Sequence, residues 1–502
     1  MRANRSLRVF FVAWALLAAL SGAWAIATPI GAAPDEPAHL IKAASVVRGQ
    51  FVGEPGAKGQ VVRVPQYIAF TQNQTCYAFK PDVSADCMTD APGDPAAMTE
   101  ASTTAGLYNP VYYVLVGWPS LVSPDVGGVY AMRLASVVIV SMFLALSLAL
   151  ISRWRRPTLP LLAFAVAATP MVLFLSGSVN PNSLEIAATL AAFVGLISAV
   201  RFPDATRLPV ISAVVFATAA IAANMRGLSL LWLAVALAFP FVLAKGADIR
   251  ALLRSRSVRL AVAGTVVAGA LAAVWLLSTN SLGAALEAQA PVVDAPAVGS
   301  SPVSGFVWTL LSTFTYSEGL VGVFGWLDTP APEFVFFAWS TFVGMLVVLA
   351  IALLRGRTMA FAVALLAALA LLPPVVQAAY IGGGGIIWQG RYILPVFVCV
   401  VVGIGAVLTD RLELPRSVTR RVVAVVVAVW GAAQAYSFAT ALRRYAVGLD
   451  AGWLELLHPR WAPPGGIAAW LAVFAVLAAV AAVAGYRLVV ATRSASSVPI
   501  GE

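Results

Sequence analysis

The stretch VYAMRLASVVIVSMFLALSLALISRWRR, Val129–Arg156, decides the architecture. Its first part, Val129–Ile151, is apolar nearly throughout. As a helix rising about 1.5 Å per residue it is long enough to cross roughly 30 Å of hydrocarbon. It stops on Arg153, Arg155 and Arg156, a basic cluster of the kind that marks the cytoplasmic end of a span. Outward from this segment the pattern repeats. Apolar runs lie at Val9–Thr28 before it, and after it at Leu159–Ser176, Leu184–Val200, Leu208–Ala223, Leu228–Ala244 and Leu260–Leu277. Five more follow at Phe334–Leu354, Met359–Ala379, Ile393–Leu408, Val422–Phe438 and Ile467–Val489. The expectation is an all-α polytopic membrane protein with about twelve transmembrane helices.

Composition agrees. Of 502 residues, 61% are hydrophobic and 11% charged, against about 25% charged in soluble domains, so the apolar surface has to be buried in lipid. The formal charge of +10 sits mostly in short loops, where it reports topology; no nucleic-acid partner is implied. With the N-terminus in the cytoplasm, that side collects Arg2, Arg5, Arg8, the Arg153–Arg156 cluster, Arg201, Arg207, Lys245, Arg250, Arg254, Arg256 and Arg259. It also collects Arg355, Arg357, Arg411, Arg416, Arg420, Arg421, Arg487 and Arg493. Both termini are then cytoplasmic. The run Phe10–Leu20 followed by Ser21–Ala25 resembles a cleavable signal, but the apolar stretch continues to Ile30, long enough to span.

The chain therefore divides into a first span (1–29), a large external loop (30–128), spans two to seven (129–277) and a second external loop (278–333). Spans eight to twelve (334–489) and a cytoplasmic tail (490–502) complete it. The first loop carries Cys76 and Cys87, for which an oxidising exterior favours a disulfide over two free thiols. Late in that loop, Tyr108–Val122 is aromatic, amphiphilic and too short to span, which places it in the membrane interface.

Polar chemistry gathers on the external side. Directly after the first span comes Pro34-Asp-Glu-Pro-Ala-His39, with two adjacent carboxylates and a histidine at the lipid–water boundary. Asp35 reads there either as a solvated helix cap or as a general base. In Ile387-Trp-Gln-Gly-Arg-Tyr-Ile-Leu-Pro395, Arg391 enters the membrane with no acid nearby in sequence. It is either a snorkelling anchor beside Trp388 and Tyr392 or a cation meeting a bound anion, for which its planar fork suits phosphate. Arg226, in the turn Asn224–Gly227, repeats the logic more weakly. The turn Ser176–Ser183 is rich in amides, including Asn180 and Asn182, and reads as a cap or a polar subsite. Gly325-Trp326-Leu327-Asp328 fits either a sugar platform or an interfacial belt. No Walker loop, Rossmann fingerprint or zinc-type Cys/His spacing occurs. Asp35 and Glu36 could hold a divalent cation, but two adjacent acids are a weak metal signal.

Four motifs in order, Asp35–His39, Asn180-Pro181-Asn182, Gly325–Asp328 and Gly390–Pro395, resemble the bacterial membrane proteins grouped as domain of unknown function 2142. The resemblance runs from the first helix to about Ala406. The chain departs from it at Asn182, where an acid is common, so no acidic role carries over to that turn. The family is more distantly similar to the type-C glycosyltransferases, many-helix enzymes that use polyprenyl-phosphate-linked sugars and carry an early external acid. The resemblance implies Asp35 as catalytic base, with Glu36 holding the acceptor or orienting the site. It implies Arg391, with Arg226, at the donor phosphate; the further candidates for binding the substrates are His39, Asn180, Asn182, Trp326, Asp328, Trp388, Gln389 and Tyr392.

The function so implied is an inverting glycosyltransferase on the external face of the cytoplasmic membrane. It would move arabinofuranose, another pentose or mannose from a polyprenyl phosphate to an envelope glycan or glycolipid. The lipid-linked sugar is then the substrate; no cofactor is certain, and a divalent cation at Asp35 and Glu36 stays open. A transporter or flippase of lipid-linked saccharides, and a non-catalytic envelope scaffold, remain alternatives.

Overall fold

The computed structural model describes residues 2–284, 295–413 and 415–495. Residues 285–294 of the second loop and 496–502 of the tail lie outside them. The chain is built from helices. Those of spanning length are α1 (Arg2–Ala27), α5 (Val126–Ile151), α8 (Pro181–Arg201), α12 (Arg256–Ser278), α16 (Glu333–Leu353), α17 (Gly356–Gly384), α18 (Leu394–Leu408), α19 (Arg416–Val447) and α20 (Ile467–Ala495). Here α18 qualifies together with the 3₁₀ turn Gly390–Ile393 that leads into it. Helices α8 and α18 are buried almost throughout, whereas α12 and α20 turn most of their apolar surface outward.

Three of the twelve expected spans differ. Leu159–Ser176 is a broken pair, α6 (Thr158–Ala167) and α7 (Pro170–Ser176), bent by 64°. Pro170 cannot donate to the ladder, and Thr169 caps the new helix by accepting from the Val172 amide at 3.3 Å. The carbonyl freed at Ala168 accepts from Trp430 Nε1 at 3.0 Å and Gln434 Nε2 at 2.9 Å. Side chains of α19 thus stand in for water that a bilayer does not supply. Leu228–Ala244 becomes α10 (Ser229–Ala238) and a 3₁₀ turn, with α11 (Gly246–Arg254) turning away by 117°. Helix α9 (Leu208–Ala223) has 16 residues and reaches only about 24 Å. By length the described residues hold nine spans, or eleven with the two bent pairs.

At the end of α1 remote from the N-terminus the polypeptide forms a small cap. It contains α2 (Glu36–Val46), the single turn α3 (Gln66–Ala69), α4 (Val111–Gly117) and an antiparallel sheet of β1 (Glu54–Gly56), β2 (Gly59–Pro65) and β3 (Met98–Thr103) in that order. A disulfide joins Cys76 to Cys87. Beyond α12 and the turn α13 (Ser281–Ala284), the second loop is more than a water-facing connection. It contains α14 (Pro302–Leu311) and α15 (Thr313–Val321), followed by the hairpin β4 (Val323–Phe324) and β5 (Thr329–Pro330). Val303, Val307, Leu310, Leu311 and Phe314 are exposed at helical spacing, an apolar stripe that a purely aqueous loop would not carry.

Two buried arginines tie the cap to the bundle. Arg133 of α5 donates to both carboxylate oxygens of Glu36 (2.8 and 2.5 Å) and to the carbonyls of Ala25, Thr28 and Pro29 that end α1. Arg444 of α19 donates to Asp328 at 2.9 Å, to Thr329 Oγ1, and to the carbonyls of Tyr77, Lys80 and Val83 around the disulfide loop. Each guanidinium has its donors directed at several acceptors, the condition under which a buried charge is tolerated.

Candidate functional site

Asp35 occupies the N-cap position of α2 but does not cap it. Its backbone is left-handed (φ 63°), and its side chain accepts no bond from the helix start. An Asp in that region costs about 1–3 kcal/mol unless its surroundings hold it there. The carboxylate is turned to Arg391, whose guanidinium donates to Oδ2 at 2.6 Å. The arginine side chain is 2% exposed and that of Asp35 46%, so the acid remains reachable from a cavity while protein surrounds it. Burial alone would raise the Asp35 pKa, but the adjacent charge of Arg391, with Arg226 beyond it, holds it below the usual carboxylate value.

Arg391 is set by the turn before α18. Gln377 of α17 grips that turn, donating to the Gly385 carbonyl at 2.7 Å and accepting from the amides of Ile387 and Trp388 at 3.0 Å. Gln389 then accepts from Arg391 Nε at 2.7 Å. From the other side α15 lies against Gly390, where an added Cβ would stand 1.9 Å from the Tyr316 carbonyl oxygen. Only glycine fits that approach.

Between these elements lies a cavity of about 260 Å³, lined among others by Asp35, His39, Tyr108, Arg226, Trp388 and Tyr392. Arg226 packs over the Tyr392 ring at 4.8 Å and lines the cavity together with Tyr108. Arg391 flanks the same ring at 5.3 Å. His39 lies one turn along α2 from Asp35 and shares a 2.9 Å hydrogen bond between Nδ1 and Tyr113. Burial pushes its pKa down to about 3, leaving it neutral near pH 7. The lining includes the apolar and aromatic side chains Trp275, Leu276 and Tyr380, and also Asn109 and Asn224, joined by a 2.8 Å amide bond. The arrangement presents the Asp35 carboxylate, itself bonded to Arg391, and the Arg226 guanidinium to a chamber with both polar and apolar lining. Chemically it suits an anion carried on an apolar tail.

The structure thus brings Asp35, His39, Arg226, Trp388, Gln389, Arg391 and Tyr392 together. It places the remaining candidates elsewhere. Glu36, 0% exposed, is held by Arg133 and by the amides of Gly31 and Val179 at 3.2 and 3.1 Å. Its carboxylate and that of Asp35 go to different arginines and do not converge on one cation position. Asn180 caps α8 and donates to the Pro34 carbonyl at 3.1 Å. Asn182 donates to Glu185 at 2.9 Å. Asp328 belongs to the Arg444 tie, and Trp326 donates to the Gly31 carbonyl at 2.9 Å outside the cavity lining. Among the described residues no three His, Cys, Asp or Glu side chains group as metal ligands.

Sequence reasoning reads Glu185 only as an acid at a helix start and not as a site residue, yet it is a buried acid that borders the cavity and accepts from Ser229 at 2.5 Å. An acid four residues into an apolar helix is itself a functional signal. It also passed over Tyr108 as a site residue and over Arg133, a charge inside Val129–Ile151.

No curated protein matches this sequence. Two solved structures are similar to it at low TM-scores, both of ArnT from Cupriavidus metallidurans. The one bound to undecaprenyl phosphate is 14% identical and aligns over 98% of this chain and 76% of that one, with a TM-score of 0.46. The apo form is 16% identical over 98% and 77%, with a TM-score of 0.41. The sequence model of the predicted membrane proteins of DUF2142 matches residues 19–400, a stretch that holds the cap, both arginine ties' acidic partners and every residue named in the cavity, and the chain belongs to that family.

Proposed function

We propose that this protein transfers a sugar from a polyprenyl-phosphate donor to an envelope glycan or glycolipid at the external membrane face, with inversion. The observation that carries the reading is the Asp35–Arg391 pair, a water-reachable carboxylate held by a buried guanidinium at 2.6 Å. Arg226 and an apolar wall lie beside it. A donor phosphodiester competes with the carboxylate for Arg391, because each offers two anionic oxygens that the planar guanidinium fork can bond. Phosphate entry therefore frees Asp35 as it seats the donor. Asp35 then takes the proton of the acceptor hydroxyl, whose oxygen bonds to the anomeric carbon. The bond from that carbon to the phosphate oxygen breaks, and the polyprenyl phosphate leaves with its new charge against Arg391 and Arg226. Glu36 serves this site by position: through Arg133 it fixes the start of α2, and with it Asp35. Arabinofuranose, another pentose and mannose are the candidate sugars.

The anion site is tested by binding of sugar-free polyprenyl phosphate to the purified protein. Arg391→Ala is expected to weaken it about 10–100-fold, the worth of a charge-assisted hydrogen bond. An arginine acting only as a membrane anchor would leave that affinity unchanged.

Gly390→Ala tests the same site from the backbone. The new methyl group collides with the Tyr316 carbonyl and comes within 3.0 Å of Gly319 Cα, so the turn or α15 has to move. Affinity for polyprenyl phosphate is expected to fall by at least about tenfold with Arg391 still present. Full affinity in this variant would mean that the close packing of α15 does not position Arg391.

A further inference from the structure

At the opposite end of the bundle from Asp35 lies a larger cavity, of about 750 Å³, between α1, α6, α19 and α20. It follows α1 from Arg5 to Leu20, about 22 Å along the helix, more than one leaflet's share of a roughly 30 Å hydrocarbon core. Its walls are apolar, and the small residues Ala479, Ala481, Ala482, Ala484 and Gly485 of α20 leave the space. Trp430 in the wall has its N–H committed to the Ala168 carbonyl. The mouth is different. Arg5 and Arg8, three residues apart on α1, and Arg487 of α20 border the cavity where they are exposed. None of the three has an ion-pair partner among the described residues, and no described residue lining the cavity is acidic.

We infer that this groove is a binding site for an anionic glycerophospholipid of the leaflet at the Arg5 end. An acyl chain fills the slot, and the headgroup phosphate sits among Arg5, Arg8 and Arg487. The apolar slot alone would take a chain from any lipid. The uncompensated arginines make the site selective, because basic clusters where helices meet the membrane surface attract anionic headgroups. The site is separate from the cavity at Asp35 and does not depend on the reaction assigned there.

The test uses the full-length chain in nanodiscs of mixed phosphatidylglycerol and phosphatidylcholine, with native mass spectrometry reading the lipid that stays bound. The wild type is expected to retain phosphatidylglycerol over phosphatidylcholine by tenfold or more. Each arginine replaced by Gln should reduce that preference about fivefold. In the triple variant Arg5→Gln, Arg8→Gln, Arg487→Gln the residual bound lipid should be unselected. Ala165→Phe, which fills the slot and leaves the arginines in place, should remove retained lipid of both kinds. Equal retention of the two lipids by the wild type overturns the inference, as does a preference that survives the triple substitution. Undiminished retention in Ala165→Phe would place the bound lipid outside this groove and overturn it as well.

Discussion

Asp35→Asn is expected to lower the rate of sugar transfer by about 10²–10⁴-fold, the range contributed by a positioned general base. The substitution keeps the size of the side chain and an oxygen for Arg391 to bond, so insertion and sugar-free polyprenyl phosphate binding should persist. The measurement is transfer from polyprenyl-phosphate-linked arabinofuranose or mannose in proteoliposomes, normalised to folded protein. Undiminished transfer by the variant removes the base assignment. The pH profile gives a second reading. Because the folded pKa of Asp35 is lowered by Arg391, the base is already ionised above the ordinary carboxylate range. The acid limb of kcat/KM in the wild type should therefore fall below about pH 4. An acid limb near neutrality would point to a different group.

Glu36→Ala is expected to destabilise the protein by about 3–5 kcal/mol, the cost of leaving a buried charge without its partner. Its carboxylate is fully buried and accepts from Arg133 twice and from two backbone amides. The readout is the unfolding midpoint of the purified protein in detergent. Glu36→Gln separates support from chemistry. It retains acceptors for part of the network, so stability should fall less, and transfer per folded molecule should stay close to wild type. A Gln variant that is stable yet inactive would return Glu36 to the catalytic machinery.

Much of the fold was legible because hydropathy records how long a segment stays out of water. It does not record direction. Leu159–Ser176 reads as one straight span, yet Pro170 and the Thr169 cap break it, and the partners that satisfy the freed Ala168 carbonyl are 262 and 266 residues away. The helices inside the loop 278–333 went unread for a related reason. Helices of 10 and 9 residues are too short to register as spans, although their apolar stripe is plain once the period is known. At the site, Asp35 and Arg391 were each conspicuous as charges at a membrane boundary, but their pairing spans 356 residues. Glu36 and Asp328 carried the same local signal and turned out to be structural partners of Arg133 and Arg444. What separates the half-exposed carboxylate of Asp35 from the buried ones of Glu36 and Asp328 is the set of donors directed at each, and the arginines among them come from distant helices.

The Arg133–Glu36 tie also bears on the order in which the chain can be assembled. An arginine on an isolated helix in lipid costs about 2.5–3.5 kcal/mol at mid-membrane, and less toward the surface. Helix α5 carries that penalty until its guanidinium finds acceptors. All of those acceptors, Glu36 and the carbonyls of Ala25, Thr28 and Pro29, belong to residues synthesised before Arg133 itself. When α5 enters the bilayer its counter-charge is already waiting at the end of α1. The two helices can leave the insertion machinery as a docked pair, and the ledge that carries Asp35 is in place before most of the bundle has been made.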